Sequence, residues 1–408
     1  MPIERAFSFA ELLSLARAGS AWRFDASGVL AEVAANLPRL DHNPATLQPR
    51  GLLLEEAATN VVLDPRREGA VAGSSGTAPP AWGFVDTTGA FGLTRTISLG
   101  VEDGLPFVDF RWTGTATSSG NLQHFTLSPD QAASVGQTWT YAPYCVVFGP
   151  ALPSNPRARL IELPSFAATE TAFAAGAVGL RLSRRAVTRT LTDAAASAVR
   201  VNIWVSVSSG VTYDFTVRVA APQLWQSALQ FSPSFPPAGT PGASTRAADD
   251  FAFLDLGAFY NAAGGTFVMD WTPGQATSPG NRGLLMLDDG TANNRLRLFM
   301  TAASTAPRLQ VTSDGVNVVP GTSAGAVTAL ARSTLRFSYG PAGYLLSVDG
   351  GAPVAVAGAL PLNVSRCILG RSAPASEYLN GWLGPRLDYF PVQYTDTPAA
   401  DGLTIRSR

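Results

Sequence analysis

The chain has 408 residues, of which 46% are hydrophobic and 14% charged, and its formal net charge at pH 7 is −1. This composition predicts a soluble globular protein with a large core, and bulk electrostatics favour neither nucleic acid nor anionic membranes as partners. The 30 prolines and 39 glycines favour many turns over long helices, and no uncharged apolar run is long enough for membrane insertion.

The cysteines and the N-terminus bear on the compartment. Cys145 and Cys367 fall in different predicted domains, which favours two buried free thiols over a disulfide. The N-terminus carries Glu4, Arg5 and Glu11 and lacks the continuous apolar core of a secretory signal. We therefore expect synthesis in the cytoplasm without a signal peptide.

The N-terminal segment is predicted to be small and to mix α and β structure. Ser8 and Glu11 fit a capping box, and apolar residues at helical spacing predict a helix that ends at Gly19. Two short strands are predicted around the turn Asp25–Gly28, and Arg39–Asn60 is predicted to be irregular. The apolar side chains of the helix either pack on the next domain or dock onto another protein: Phe7, Phe9, Leu12, Leu13 and Leu15.

Residues 61–237 are predicted to form an antiparallel β-sandwich, because short strand patterns follow one another without long helical patterns between them. The clearest strand is Ala198–Val207, which alternates strictly. Its predicted inward face consists of Val199, Val201, Ile203, Val205 and Val207. Its predicted outward face consists of Arg200, Asn202, Trp204 and Ser206. Thr212–Ala220 alternates in the same way.

A run rich in Pro, Gly, Ser and Thr, from Ser232 to Thr245, predicts a linker, which we place at 238–250. The short-strand pattern then resumes and predicts a second antiparallel sandwich over 251–408. Asp349-Gly350 indicates a hairpin turn within it. Trp271 continues an apolar face and is predicted to be core. The overall prediction is a mainly β fold of two jelly-roll or concanavalin A-like sandwiches after an α+β segment.

Three segments, taken in order, resemble phage tail-fibre and head-spike proteins. Phe24–Leu63, which contains RGLLLEEAATN, resembles their N-terminal segment, and Val219–Phe251, which ends in TRAADDF, resembles the end of their carbohydrate-binding-module-like sandwich. GTFVMDWTP, LDDGTANNRLRLF and YLNGWLGPRLDYFP resemble a concanavalin A-like (laminin-G-like) domain. The chain departs from the family at Trp225, where an acidic residue is usual. The resemblance, which extends to gene transfer agent head spikes, implies a virion-surface protein that binds cell-surface polysaccharide.

The stretch LDDGTANNRLRLF has two interpretations. Asp288, Asp289 and Asn293 are oxygen donors of the kind that calcium prefers, and laminin-G-like domains sometimes hold calcium. Asp-Gly and Asn-Asn between apolar strands are also typical of a hairpin turn, and this interpretation is favoured. No cofactor is predicted.

The chain is predicted not to be an enzyme. Asp288 and Asp289 are adjacent on a strand and point to opposite faces, so they cannot form a glycosidase pair by themselves. The sequence contains neither the alternating acids of glucanases with this fold nor a nucleophile elbow. A polysaccharide depolymerase with an acid pair assembled from different strands is the competing hypothesis.

Sugar recognition needs aromatic planes flanked by polar groups, and Trp204 beside Arg200 and Asn202 is the best candidate. The alternative is that this face packs on another strand or subunit. Trp112, near His124, is predicted to be core. The remaining candidate sugar contacts are Trp82 in the first sandwich and Tyr344, Tyr378, Asn380 and Trp382 in the second.

Together these patterns predict a spike or fibre on the surface of a virion or virus-like particle. Residues 1–60 would attach it to a capsid or spike-base protein, and the sandwiches would bind host capsular polysaccharide. Weak individual sugar contacts favour a homo-oligomer, a trimer or pentamer, that gains avidity from many copies. A third hypothesis is a structural adaptor in which both sandwiches serve only for packing.

Overall fold

The computed structural model describes residues 13–83, 90–240, 242–253, 256, 260–275, 278–302, 304–373, 376–395 and 403–405. In these ranges the protein is mainly β, with several antiparallel sheets, and Ala90–Gly92 is the one helical element, a short 3₁₀ turn. None of the described residues form a helix with the length and apolar character that a membrane crossing would need.

The chain divides into two compact units. The split unit comprises the chain up to Ala57 together with Arg246 onward, and the inserted unit comprises Ala58–Thr245. The predicted boundaries differ from these, because we expected residues 1–60 to form a segment of their own. The described residues up to Ala57 instead belong to the same unit as the C-terminal part of the chain.

The split unit is built from the first five strands and the last fourteen. Those before Ala57 are β1 (Leu13–Ala16), β2 (Ala21–Phe24), β3 (Leu30–Val33), β4 (Leu40–His42) and β5 (Pro49–Leu54). Strand β22 (Ser244–Arg246) crosses the boundary between the two units, and the later strands of the split unit follow it in number. They continue as β23 (Asp250–Phe253), β24 (Gly265–Pro273), β25 (Arg282–Asp288), β26 (Arg295–Met300), β27 (Arg308–Ser313), β28 (Val316–Ser323), β29 (Ser333–Gly340), β30 (Gly343–Val348), β31 (Val354–Val356), β32 (Arg366–Leu369), β33 (Arg371–Ala373), β34 (Ser376–Tyr378), β35 (Gly381–Phe390) and β36 (Leu403–Ile405).

Two large sheets make up most of the split unit. One has the order β1-β23-β32-β25-β26-β27-β28, and the other has the order β31-β30-β29-β24-β35-β5-β4, with β36 beside β35. Apolar side chains from both sheets meet in one buried core, which includes Leu285, Leu298, Phe267, Trp271 and Phe337. The predicted inward face of β24, with Trp271 in it, is therefore confirmed.

The N-terminal helix prediction is wrong where the structure can test it. Leu13–Ala16 is strand β1, which pairs with β23 in the register Leu15↔Phe251. Pairing with a sheet edge overrides a helical pattern of only a few residues. The rest of the predicted helix, with Phe7, Phe9 and Leu12, lies outside the described residues.

The segment predicted to be irregular, Arg39–Asn60, contains β4, β5 and β6 (Ala58–Asn60). Leu52, Leu53 and Leu54 are buried, and β5 pairs with β35 in the register Leu53↔Trp382. Pairing with β35 supplies hydrogen-bond partners for the backbone of β5, although turn-forming residues flank this apolar run in the sequence. The predicted turn Asp25–Gly28 is confirmed, since Asp25 Oδ1 accepts hydrogen bonds from the amides of Ser27 (2.8 Å) and Val29 (3.0 Å).

The inserted unit holds sixteen strands. After β6 these are β7 (Trp82–Gly83), β8 (Thr94–Glu102), β9 (Leu105–Thr115), β10 (Gly120–Leu127), β11 (Gln131–Ala132), β12 (Thr138–Tyr141), β13 (Tyr144–Ala151), β14 (Ser154–Leu163), β15 (Ala168–Ala172), β16 (Ala175–Gly176), β17 (Ser183–Arg184), β18 (Val187–Thr190), β19 (Ala198–Val207), β20 (Thr212–Ala220) and β21 (Leu224–Trp225).

Three sheets organise the inserted unit. The first has the order β15-β14-β19-β10-β7, the second β16-β13-β20-β9-β8, and the third β18-β12-β21. Side chains of all three meet in one core, among them Val201, Val217 and Tyr141. The predicted strands β19 and β20 are confirmed, and the five apolar side chains of β19 are all buried. Cys145 here and Cys367 in the split unit are buried free thiols, as predicted.

Candidate functional site

An open cleft of about 640 Å³ lies on the face of the β15-β14-β19-β10-β7 sheet opposite the core. Strands β7, β10, β14 and β19 and the loops that follow β10 and β14 supply its walls. Its lining residues are Gly83, Gln123, Thr126, Leu127, Ser128, Pro129, Asp130, Arg159, Ile161, Phe166, Arg200 and Asn202. The lining combines charged, amide and hydroxyl groups with a few apolar surfaces, so it is more polar than the mostly apolar lining typical of small-molecule pockets.

The alternation of β19 brings two of the predicted residues into this cleft. Because the valine face of the strand is buried in the core, Arg200 and Asn202 lie on the opposite face. The neighbouring strand β14 places Arg159 directly across from Asn202 and Ile161 across from Arg200. Arg159, Asn202 and Arg200 therefore form one group on the cleft floor.

Arg200 is held by a carboxylate at the edge of the cleft. Its Nε and Nη2 donate to Asp130 Oδ1 (2.8 Å) and Oδ2 (2.7 Å). These hydrogen bonds raise the pKa of Arg200 above its ordinary value, so the guanidinium stays charged. The two hydrogen bonds fix the orientation of the Arg200 guanidinium group, and its Nη1 donates to none of the described residues.

Arg159 is oriented by two contacts. Its Nε donates to Glu170 Oε1 at 2.5 Å on strand β15. Its guanidinium carbon lies 3.9 Å from the centroid of the Trp204 ring, a cation–π arrangement. Trp204 was the leading candidate for stacking on a sugar, but Arg159 covers one face of its ring. Trp204 does not line the cleft, and it acts here as a platform for Arg159.

Asn202 is the most unusual group at the site. The residue is 2% exposed, and its Oδ1 is buried without a hydrogen-bond partner in the part of the chain that the structure describes. Nearby on the same strand face, the Trp204 Nε1 is also buried without a partner among the described residues. Buried polar atoms of folded proteins are nearly always paired, so this acceptor is one that a bound water molecule or a ligand could satisfy.

Phe166 lines the same cleft and was missed by the sequence analysis. It is 64% exposed, although large aromatic side chains are normally buried. Its backbone is left-handed, with φ of 59°, in the loop between β14 and β15. An aromatic residue in this conformation is strained, which fits a position that serves binding rather than folding. The period-2 alternation of β14 ends before Phe166, so no local pattern could place it.

Two predicted sugar contacts are wrong, because the side chains are buried. Trp82 is 3% exposed and packs edge-on against Phe125, with ring centroids 5.2 Å apart. Tyr344 is 1% exposed, donates to the Ala359 carbonyl at 2.6 Å, and packs in the core of the split unit. Neither ring can reach a polysaccharide in solution.

Trp112 and His124 are core residues, as predicted for Trp112. Both are buried, and Trp112 Nε1 donates to His124 Nε2 at 2.8 Å. Burial, assisted by the charge of Arg95, lowers the pKa of His124 to about 3. His124 is therefore a neutral acceptor at physiological pH and not a proton donor.

The three remaining predicted sugar contacts lie in the split unit, away from the cleft residues in sequence and in sheet. Tyr378 is buried and donates to Asp250 Oδ1 at 3.0 Å. Asn380 Oδ1 accepts from the amide of Glu56 at 2.9 Å. Trp382 is partly exposed and donates from Nε1 to Asp41 Oδ2 at 2.8 Å. These polar groups have protein partners, and the partly exposed Asn380 and Trp382 stay predictions as sugar contacts.

The Trp382 ring resembles that of Trp204 in one respect. The guanidinium carbon of Arg50 lies 4.8 Å from the centroid of the Trp382 ring. Both partly exposed tryptophans that we singled out therefore carry an arginine on the ring.

The predicted hairpin at LDDGTANN is confirmed, with β25 and β26 pairing in the register Asp288↔Arg295. Both oxygens of Asp288 accept from Arg366, at 2.6 and 2.9 Å. Asp289 accepts from the Thr291 amide (2.8 Å), the Thr291 hydroxyl (2.7 Å) and Asn294 Nδ2 (3.0 Å), and these bonds lower its pKa. The carboxylates thus stabilise the turn. Within the described ranges, no three His, Cys, Asp or Glu side chains form a metal-binding group.

The RGLLLEEA and TRAAD segments meet in a buried charge network of the split unit. Arg39 pairs with Glu55 Oε2 at 2.7 Å and with Asp249, and Arg17 pairs with Asp249 at 3.0 Å. Arg246 lies 3.6 Å from both carboxylates. All five side chains are at least 95% buried. Burial opposes the charge on Arg39, but Asp249 and Glu55 together raise its pKa. The network joins the two ends of the split unit.

The chain matches no protein-family model, and no curated protein shows significant sequence similarity to it. The resemblance to spike and fibre proteins therefore stays a hypothesis, and the cleft is the structural feature from which we infer a function.

Proposed function

We propose that this chain is a virion-surface spike or fibre protein that attaches a particle to host cells by binding their capsular polysaccharide. We place the binding site at the cleft on β14 and β19. In this proposal both units are β-sandwiches, the inserted one of carbohydrate-binding-module type and the split one of concanavalin A-like type. The shared core beneath the two large sheets of the split unit supports that assignment.

The unpaired Asn202 Oδ1 is the observation that carries the proposal. In this proposal the side chains around Asn202 move enough to admit a sugar hydroxyl, whose hydrogen bond would relieve the unfavourable burial of this acceptor. The guanidinium groups of Arg159 and Arg200 would donate to ring or hydroxyl oxygens. The exposed ring of Phe166 would stack on the apolar C–H face of a sugar.

The carboxylates at the cleft favour binding over hydrolysis. Among the described lining residues, Asp130 is the one carboxylate, and both of its oxygens accept from Arg200. Glycoside hydrolysis uses two carboxyl groups on either side of the scissile bond. We therefore keep the nonenzymatic proposal, with the depolymerase as the outcome that the test below would reveal.

Attachment to a particle is the second part of the proposal. A capsid or spike-base protein would bind the N-terminal segment, and a homo-oligomer, a trimer or pentamer, would present several clefts at once. Multivalency would turn weak sugar contacts into stable attachment. The described part of the N-terminal segment is built into the split unit, so docking would use this unit and not a separate anchor.

The test is binding of the purified full chain to host cells with and without their capsule, with an assay for reducing sugar released into the medium. We expect binding that needs the capsule and no release of sugar. Release would establish the depolymerase instead. Equal, negligible binding to both cell types would contradict the proposal and leave the structural adaptor.

A further inference from the structure

We infer that the cleft selects an acidic sugar, with the carboxylate of a uronate-type residue bound between Arg159 and Arg200. This inference rests on the proposed function and names its ligand class. It depends on three features of the described residues: the position of the two arginines on the sheet, the unused donors of their guanidinium groups, and the local charge.

The two arginines flank Asn202 on the sheet. Arg159 is the cross-strand neighbour of Asn202, and Arg200 is two residues away on the same strand and the same face. Cross-strand neighbours have Cβ atoms about 5 Å apart, and diagonal neighbours are about 7–8 Å apart. The two arginine side chains therefore start close enough on the sheet for one sugar residue to span them, with Asn202 between them.

Both guanidinium groups keep donors that no described residue uses. Arg200 donates to Asp130 through Nε and Nη2, and Arg159 donates to Glu170 through Nε. Nη1 of Arg200 and both terminal nitrogens of Arg159 have no hydrogen-bond acceptor in the described part of the chain. Paired arginine nitrogens match the geometry of a carboxylate better than that of a neutral hydroxyl.

The charge around the cleft is positive although the whole chain is slightly negative. Arg159 and Arg200 against Asp130 leave one positive charge on the lining. Counting the flanking groups leaves that sum unchanged, because the negative charge of Glu170, which accepts from Arg159 at 2.5 Å, is matched by the positive charge of Arg157, 3.9 Å away. Exposed carboxylates of a polysaccharide would be attracted to this surface, and salt would screen the attraction.

The test compares the full chain's affinity for three polyuronates, polygalacturonate, alginate and hyaluronan, with its affinity for their methyl-esterified or carboxyl-reduced forms. Dextran serves as the neutral polymer. We expect at least one polyuronate to bind ten times or more tighter than its neutralised form, and this preference to shrink between 50 and 500 mM salt. Binding to neutral and acidic forms alike would overturn this inference and leave the proposed function intact. Binding to none of these polymers would also overturn it, and the capsule assay would then judge the proposed function alone.

Two variants test whether the preference for the acidic polymer depends on the arginines of the cleft. Arg200→Gln and Arg159→Gln should each remove most of the preference for the acidic form. The matched control is Arg111→Gln, because Arg111 makes the same type of two-bond pair with Asp214, at 3.0 Å each, on the other large sheet of the inserted unit. Arg200→Lys keeps the charge without the fork and should recover only part of the preference. If both Gln variants keep the full preference while the control behaves as wild type, the carboxylate does not bind here.

Discussion

At the scale of single residues, the site depends on side chains whose positions are unfavourable for folding alone. Asn202 buries an acceptor without a donor, and Phe166 exposes a ring from a left-handed backbone. Each feature is unfavourable for the folded state, and each has a use in the proposed sugar-binding cleft. Arg159 is positioned rather than strained, because Glu170 and Trp204 hold its guanidinium over the cleft floor.

Phe166→Gly tests the role of the exposed ring. Glycine relieves the left-handed strain and adds chain entropy in the unfolded state, so we expect stability to stay within about 1 kcal/mol of wild type. Affinity for the polysaccharide should fall about tenfold, or ~1.4 kcal/mol. Leu330→Gly is the matched control, since Leu330 is 67% exposed with φ of 61° in the split unit. Affinity is measured by calorimetry, and an unchanged affinity in the Phe166 variant would show that the ring does not contact the polysaccharide.

His124 gives a pH prediction with a definite sign. Its folded pKa is about 3, well below the ordinary 6.5, because burial disfavours the charged ring. Below pH 6.5 the unfolded chain takes up a proton that the folded chain refuses, so stability falls as the pH falls from 6.5 towards 3. His124→Gln should flatten that slope by up to ~1.4 kcal/mol per pH unit. Urea unfolding at pH 4 to 7 measures both slopes, and parallel slopes would contradict the assignment.

The sequence was informative about some residues and misleading about others, for physical reasons. The alternation of β19 is local and correctly put Arg200 and Asn202 on the open face. Tyr344 was misplaced although it shares a buried period-2 face with Leu346 and Val348, which the alternation of β30 could have revealed. The lack of a donor near Asn202 depends on neighbouring strands, and no sequence pattern reports it.

At the scale of elements, strands with regular alternation were predictable and strands that depend on distant partners were not. β19, β20 and the hairpin of β25 with β26 follow from local pattern and turn residues. β1 and β5 gain their backbone partners from β23 and β35, more than 230 residues later in the chain. A short apolar run takes the conformation of the sheet edge that it meets, whatever its own preference.

Gly51 tests how closely β5 must approach β35. It has φ of 109°, and a Cβ there would lie 2.4 Å from the Leu383 carbonyl oxygen. We expect Gly51→Ala to destabilise the protein by about 3 kcal/mol, because strain and a backbone clash combine. Gly350→Ala is the control, since Gly350 has φ of 73° and open space around it, and should lose about 1 kcal/mol. Equal losses in urea unfolding would show that β5 and β35 separate easily.

At the scale of the whole molecule, the chain leaves the split unit at Ala57, forms the inserted unit, and returns at Arg246. The buried charge network joins the two segments of the split unit at that point. The sequence resemblance singled out both motifs, but it gave no sign that they would meet, because the linker-like composition before Thr245 suggested a simple succession of domains. The ionic contacts explain why both motifs carry charged residues within apolar surroundings.

Arg39→Leu tests this network. The change leaves Glu55 and Asp249 buried with less compensation, so we expect a loss of about 3–5 kcal/mol. Arg111→Leu, which breaks an exposed ion pair, should lose at most about 1 kcal/mol. Thermal and urea unfolding compare the two variants. A loss as small in Arg39→Leu as in the control would show that the network does not hold the split unit together.

The most direct test of the cleft is the paired stability and affinity of Asn202→Leu. Leucine is similar in size and removes the unpaired acceptor. We therefore expect the free energy of unfolding to stay equal or to rise by up to ~1 kcal/mol, with no fall in the melting temperature. Affinity for the capsular polysaccharide should fall at least tenfold. Asn121→Leu is the control, because Asn121 is exposed on the neighbouring strand, lies outside the cleft lining, and accepts from Ser206 at 2.7 Å. An Asn202→Leu protein that is as stable as wild type and binds polysaccharide equally well would contradict the account.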